Sequence, residues 1–339
     1  MSGWAGVARF GGIGDNLIAA SVLRPLKRLG YKVEVITNDH AHNVFLNNPF
    51  IDKLTIKKEG EIPGGEDWQK WFLSRSKEYD VFAHLSHSCE VRHGLQVAQT
   101  AFWWPPAVRR KMCAGSYLET VHDIAGVPYD FGPLYHPTDE EKRLVRNQIK
   151  DKIPDRYLVW VLRGSRLDKV YPYSMLTVAR INKELGIHTV LVGAGPEQLE
   201  TANLIKDHVR RQNGNRDLVH VALPQEGVEA WGVRPILALA HGASLVVSPD
   251  TGIAWACAFE PMPKVMMVSH ASPENITKHW INTVTLHADP NNVPCWPCHR
   301  LHNDPSTCNM DKDLGKVAAC MADISVESIV TNVAKLWKE

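Results

Sequence analysis

The stretch Phe10-Gly11-Gly12-Ile13-Gly14-Asp15 connects an apolar segment, residues 7–10, to residues 16–29, where apolar side chains recur with helical spacing. Glycines lack a Cβ, so a ligand can approach the backbone at the start of the helix. Asp15, however, puts a negative charge where a bound phosphate would lie. We therefore predict a strand, a tight turn and a helix, with the Asp15 carboxylate facing a cleft as a general base. The alternative is a turn in which Asp15 only caps the helix.

Strand and helix signals alternate along the whole chain, which favours parallel sheets covered by helices on both faces. A charged segment, residues 138–152, divides the pattern in two. We predict an α/β protein with two Rossmann-like, doubly wound domains, residues 1–152 and 153–339, and a closing amphipathic helix over residues 325–337. The predicted strands are residues 7–10, 32–37, 54–57, 79–85, 157–162, 189–192, 218–221, 245–248 and 264–268.

The composition excludes several classes of function. The 339 residues suit two domains of about 150 residues each. A net charge of +1 argues against a nucleic-acid partner, which needs a clustered basic surface. No apolar run approaches the roughly 20 residues that span a bilayer, and the first residues do not look like a secretory signal. We expect a cytoplasmic protein.

Candidate phosphate-binding groups follow strands of the second half. One turn opens a helix after an apolar strand, a second is rich in glycine, and a third carries a hydroxyl, a guanidinium and an ammonium group that could neutralise a leaving diphosphate. The third segment could equally be a solvated basic loop. The candidate residues are Asp250, Thr251 and Gly252 of the first turn, Gly193 and Gly195 of the second, and Ser165, Arg166 and Lys169 of the third.

Four of the seven cysteines lie close together near the end of the sequence, within residues 290–322. A Cys-x-x-Cys pair is followed by single cysteines after nine and eleven further residues, a spacing that allows a tetrahedral sulfur site. We predict a structural iron or zinc ion there. Two disulfides or free thiols are the alternatives. The four ligands would be Cys295, Cys298, Cys308 and Cys320.

Taken in order, these segments resemble glycosyltransferase family 9, the ADP-heptose:lipopolysaccharide heptosyltransferases, whose members have the GT-B fold of two facing Rossmann-like domains. The resemblance covers nearly the whole chain. One branch of the family, the autotransporter heptosyltransferases, has a comparable four-cysteine iron finger. The matching stretches are Gly14-Asp15 with the helix of residues 24–27, and residues 164–169, 193–197, 250–252 and 320–324.

The resemblance implies inverting transfer of a heptose or related sugar from a nucleotide diphosphate, with ADP as the expected nucleotide, to an acceptor hydroxyl. Asp15 corresponds to the catalytic base and Lys169 to the lysine on the donor diphosphate. Residues 250–252 correspond to the turn that binds the same phosphates, with Gly14 beside the donor. Trp255 stands where the family pattern has histidine. The fixed cations and a helix dipole would take the place of a catalytic divalent metal.

The acceptor is a glycan, a glycolipid or a protein. His87 and Arg92 follow a strand of the first domain and are candidate acceptor contacts, although a second metal site of histidine and cysteine is an alternative for this segment. Residues 102–111 combine aromatic and basic side chains that could stack on a sugar, meet an anionic glycolipid surface, or simply pack with a basic rim. Peripheral membrane contact and a homo-oligomer stay open.

Three other functions compete with glycosyl transfer. Gly12-Ile13-Gly14 resembles the start of the dinucleotide-binding motif, but Leu17 stands at its third glycine position, so an NAD-dependent oxidoreductase is the weaker reading. A family member that has lost catalysis could act as a metal-braced binding or assembly module. A sugar-nucleotide epimerase of similar architecture is a minor alternative.

Overall fold

A computed structural model describes residues 3–62, 64, 67–214, 216–224, 231–302, 304–315 and 317–338. The first part of the chain forms a parallel sheet with the order β3-β2-β1-β4. Its strands are β1 (Trp4–Ala8), β2 (Lys32–Asn38), β3 (Lys53–Lys57) and β4 (Val81–His84). Its helices are α1 (Ile13–Ala20), α2 (Leu23–Arg28), α3 (Asp67–Ser76), α4 (Ser88–Arg92), α5 (Pro106–Met112) and α6 (Tyr117–Ala125).

The second part forms a larger parallel sheet with the order β10-β9-β8-β5-β6-β7. Its strands are β5 (Leu158–Val161), β6 (Thr189–Val192), β7 (Val219–Ala222), β8 (Leu245–Pro249), β9 (Lys264–Met267) and β10 (Thr283–Leu286). Its helices are α7 (Asp139–Ile149), α8 (Ser174–Leu185), α9 (Pro196–Gln212), α10 (Val233–His241), α11 (Gly252–Ala256), α12 (Pro273–Ile276), α13 (Ala319–Ala322) and α14 (Val326–Lys338). Short 3-10 helices occupy His42–Phe45, Glu59–Glu61, Thr100–Trp103, Leu167–Lys169 and Pro305–Thr307.

Both sheets have doubly wound topology, as the sequence predicts. In each sheet the strand order reverses beside its first strand, between β1 and β4 and between β5 and β8. Such switch points open a crevice at the carboxyl ends of the strands. The predicted helix over residues 16–29 is in fact two helices, because Pro25 has no N–H to bond the carbonyl group of Ser21.

Helix α7 packs against the second sheet. Its cap is a reciprocal pair of hydrogen bonds between Thr138 and Glu141. Its apolar side chains Val145 and Ile149 are buried in one cluster with Val159 of β5. The charged segment of residues 138–152 is therefore an amphipathic helix on the second sheet, although it lies before the predicted boundary between residues 152 and 153.

The two sheets meet where the β1–α1 and β8–α11 turns touch. A Cβ added to Gly252 would lie 2.6 Å from Cγ2 of Ile13 and 3.2 Å from the backbone nitrogen of Gly14. Trp255 and Trp280 are buried in the same apolar cluster as Leu17 of α1. The glycines thus allow the carboxyl edges of the two sheets to approach face to face. Within the described ranges, every helix is too short or too polar to span a bilayer.

Candidate active site

A cavity of about 530 Å³ lies between the two switch points. Its walls come from the residues that follow β1, β5, β6 and β8, so both sheets contribute to it. The predicted site residues that line it are Gly14, Asp15, Ser165, Arg166, Lys169, Gly193, Asp250, Thr251 and Gly252. Gly195, His87 and Arg92 are not among the described residues that line this cavity. Their predicted roles in donor and acceptor binding stay predictions.

Asp15 lies in the first turn of α1 and is held on both carboxylate oxygens. The backbone N–H of Gly12 donates to Oδ2 at 3.1 Å, and a guanidinium nitrogen of Arg9 lies 3.0 Å from Oδ1. Arg9 is 3% exposed and also pairs with Glu90 at 2.9 Å. Burial opposes the charge of Glu90, but its ion pair with Arg9 brings the pKa of this carboxyl below its usual value. Asp15 therefore faces the cavity in a fixed orientation, beside a second carboxylate.

Lys169 and Asp250 form a largely buried ion pair on the second-domain side of the cavity. The ammonium group of Lys169 donates to Oδ2 of Asp250 at 2.7 Å, and Nε1 of Trp255 donates to Oδ1 at 2.9 Å. Burial alone would raise the pKa of Asp250, but the charge of Lys169 outweighs this effect, so the pKa of the carboxyl lies below its usual value. Asp250 therefore positions the lysine at the cavity wall. Trp255, at the position where the family pattern has histidine, supplies the second hydrogen bond.

A second network joins Arg166 to His270. Arg166 donates to both carboxylate oxygens of Asp168, at 2.9 and 3.0 Å. Nδ1 of His270 lies 3.0 Å from Oδ2 of Asp168, and the hydroxyl of Ser269 donates to the same oxygen at 3.1 Å. Burial disfavours the charge of Asp168, but His270 and Arg166 bring its pKa well below the usual value. Arg166 is thus fixed at the wall of the cavity.

Sequence reasoning missed two of the residues that face the cavity, Glu90 and His270. Glu90 stands between the candidate acceptor residues His87 and Arg92, and no motif distinguishes it from a surface residue. His270 follows β9, where a ligand crevice is expected in a doubly wound sheet. Its position at the carboxyl end of a strand was the one usable signal.

The four clustered cysteines line one smaller cavity of about 130 Å³, next to Asp168 and His270. Within the segment of residues 290–322, Asn303 and Lys316 lie outside the described residues. Sγ of Cys298 lies 3.4 Å from Nε2 of His302, whose Nδ1 lies 3.0 Å from the Thr307 hydroxyl. The thiols are free, and among the described residues no group of three or more histidine, cysteine or acidic side chains is arranged to hold a metal ion. The metal stays a prediction.

No family model matches the chain, and no curated protein matches its sequence. Solved structures do match. A family 9 glycosyltransferase from Veillonella parvula superposes with a TM-score of 0.65 at 13% identity, covering 99% of this chain and 97% of that one. Escherichia coli ADP-heptose lipopolysaccharide heptosyltransferase II gives 0.66 at 14% identity, covering 99% and 98%. The iron-containing dodecameric glycosyltransferase TibC of enterotoxigenic E. coli gives 0.56 at 12% identity, covering 99% and 77%.

At these identities the likeness establishes the fold. The chain has two facing Rossmann-like domains with a cleft between them, the GT-B architecture that the sequence resemblance implies. The predicted fold class is confirmed.

Proposed function

We propose that this protein is an inverting glycosyltransferase that moves a heptose or a related sugar from a nucleotide diphosphate to an acceptor hydroxyl. One observation carries the proposal. A single cavity is lined by the Asp15 carboxylate of one domain and by Lys169 and the 250–252 turn of the other. Direct displacement at a sugar carbon requires a base and a diphosphate-binding group in one site.

In the proposed reaction, the Asp15 carboxylate accepts the proton of the acceptor hydroxyl as its oxygen attacks the anomeric carbon. The bond from that carbon to the diphosphate oxygen breaks, and its electron pair leaves with the nucleotide diphosphate. Lys169, Arg166, Thr251 and Gly252 line the cavity on the second-domain side, and we assign to the two cations and the two backbone N–H groups the stabilisation of this charge. Attack from the face opposite the leaving group inverts the anomeric centre.

We propose ADP as the donor nucleotide. The name of the E. coli heptosyltransferase that shares this fold includes ADP-heptose. A second structure of TibC, in complex with ADP-D-beta-D-heptose, superposes with a TM-score of 0.58. The turn containing Gly193 and Ala194 lines the cavity on the second-domain side, where these small residues leave room for a nucleoside.

Thermal unfolding with a panel of nucleotides tests the donor. ADP or ADP-heptose at about 100 times its Kd should stabilise the protein by about 2.7 kcal/mol, and GDP, UDP and CMP should give smaller shifts. Lys169→Ala should reduce the ADP shift, whereas the exposed Lys183→Ala should not. A protein that no nucleotide or nucleotide sugar stabilises would contradict the proposal.

We also propose that Cys295, Cys298, Cys308 and Cys320 hold a structural iron or zinc ion. Two observations support it: all four thiols line one small cavity, and TibC is described as iron-containing. Thiolate sulfur is the ligand that both metals accept in such sites.

Elemental analysis of the purified protein should find one equivalent of iron or zinc. Cys298→Ser should lose it, while Cys257→Ser, in the buried turn after α11, should keep it. Wild-type protein without either metal would rule the site out.

A further inference from the structure

Large apolar side chains are exposed along residues 97–112 of the first domain. Trp103 is 64% exposed and Met112 is 58% exposed. We call this the tryptophan-basic surface. Its exposed apolar members are Val97, Trp103, Trp104, Val108 and Met112, and its cations are Arg92, Arg110 and Lys111. Clustered exposure of this kind, with two tryptophans, marks a surface that meets a partner.

Hydrogen bonds on its protein-facing side fix the loop that carries the tryptophans. Nε1 of Trp103 donates to the carbonyl group of Val97 at 3.1 Å. The Arg300 guanidinium donates to the carbonyl groups of Phe102 and Trp104, at 2.7 and 3.3 Å, and stacks over the buried Phe102 ring. The backbone is therefore fixed by protein contacts, while Trp103 stays largely exposed and Trp104 is 36% exposed. Such an arrangement presents apolar rings outward without a further ordering cost.

Helix α5 continues the same surface. Val108 and Met112 are one turn apart and both exposed, so they lie on one side of the helix. Lys111 is exposed beside them. Pro105 and Pro106, between the tryptophans and the helix, are also exposed. The exposed apolar members therefore follow one another closely along residues 97–112, with Arg110 and Lys111 among them.

The charge on this surface has one sign. No aspartate or glutamate occurs between Glu90 and Glu119, whereas this stretch has four lysine or arginine residues, three of them on this surface because Arg109 is buried. In the described part of the chain, Arg92 and Lys111 make no ion pair with a carboxylate. A symmetric contact with a second copy would place these cations against themselves. The complementary partner is anionic and accepts indole rings.

We propose that the tryptophan-basic surface docks on an anionic lipid bilayer. Indole rings settle at the headgroup level because they have an apolar body and a polar N–H, and lysine and arginine are attracted by anionic headgroups. Docking of this kind leaves the protein peripheral, since only side chains enter the interface. The inference goes beyond the proposed reaction and does not depend on it.

Co-sedimentation with vesicles tests the docking. The protein should sediment with vesicles that contain phosphatidylcholine and phosphatidylglycerol, and should stay in the supernatant when the vesicles contain phosphatidylcholine alone. It should dissociate from the anionic vesicles as the salt concentration rises. Lys111→Glu should weaken binding by at least about fivefold, and the double variant Trp103→Ser with Trp104→Ser by about tenfold or more. Matched controls come from exposed residues of α8, Leu176→Ser and Lys183→Glu, which should bind as wild type does.

Several results would overturn the proposal. One is failure to sediment with either vesicle; another is equal binding to neutral and anionic vesicles. A third is concentration-dependent self-association that the tryptophan substitutions abolish, which would make the surface an interface between copies. ADP-induced stabilisation of each variant shows separately whether the nucleotide site is intact, so failure of the docking and failure of the proposed reaction are distinguishable.

Discussion

At the scale of single residues, Asp15 depends on side chains from other elements. Arg9 follows β1, is buried, and donates at 2.6 Å to the carbonyl group of Leu85 as well as pairing with Asp15 and Glu90. One guanidinium thus pairs with two carboxylates, and the three side chains together carry a net negative charge. The Asp15 side chain stays 41% exposed, so a hydroxyl can reach it. Orientation and access are both present in this structure.

Asp15→Asn is the sharpest test at this scale. The amide keeps the shape and can still accept from the Gly12 N–H, but it takes up no proton. Turnover should fall by about two to four orders of magnitude while ADP affinity stays near wild type. Transfer or donor-consumption rates and calorimetric titration with ADP measure the two quantities. Asp139→Asn, a carboxylate in the first turn of α7, is the matched control. Unchanged turnover in Asp15→Asn would remove Asp15 from the role of base.

At the scale of elements, helix α5 anchors the cysteine-rich segment to the first domain. Arg109 belongs to the aromatic and basic stretch of residues 102–111, yet its side chain is fully buried. It donates to the carbonyl groups of Cys298 at 2.7 Å and Gly94 at 3.1 Å, and also to those of Ala101 and His299. Burial among these carbonyl groups lowers the pKa of the Arg109 guanidinium, which still holds its proton. One residue therefore ties two distant parts of the chain together.

Arg109→Ala should destabilise this junction strongly. Several buried carbonyl groups would lose a charged donor, which costs about 3 kcal/mol or more of the free energy of unfolding. The segment of residues 290–302 should then become sensitive to limited proteolysis. Lys111→Ala, two residues further along the same helix and exposed, should leave both measurements unchanged. Equal stability of the two variants would show that the anchor lies elsewhere.

At the scale of the whole molecule, partly buried histidines should make the fold sensitive to acid. Burial lowers the pKa of His241, at the end of α10, to about 4, and that of His220, in β7, to about 4. In the unfolded chain the ordinary value is 6.5. Below that pH the unfolded state binds protons that the folded state refuses, so acid favours unfolding.

The contribution of these histidines to the free energy of unfolding should therefore be fully present above pH 6.5 and be lost as the pH drops from 6.5 to about 4. His241 alone contributes a change of about 3 kcal/mol across this window. Chemical denaturation at a series of pH values measures the slope. His241→Phe, whose ring can keep the contact with Tyr135, should flatten it. A slope that the substitution leaves intact would assign the acid sensitivity to other groups.

Local sequence determined much of this protein. The alternation of apolar strands and amphipathic helices arises from neighbouring residues, so it predicted the two parallel sheets and their order of appearance. Ligand-binding turns follow strands, so Asp15, Lys169 and Asp250 could be found beside them, and the structure brings all three to one cavity. Strand β10 and the break before α2 were not predicted, because their signals in the sequence are short.

Only the tertiary structure decided which side chains act on these residues. Arg9 and Glu90 are 81 positions apart in the chain, and Arg109 and Cys298 are 189 apart, so no local pattern relates them. Likewise, α7 shows an apolar stripe in sequence, but only packing reveals that the stripe belongs to the second sheet. The physical reason is the same in each case. Secondary structure follows from contacts within a few residues, whereas buried charge pairs and shared cores form only when distant segments meet.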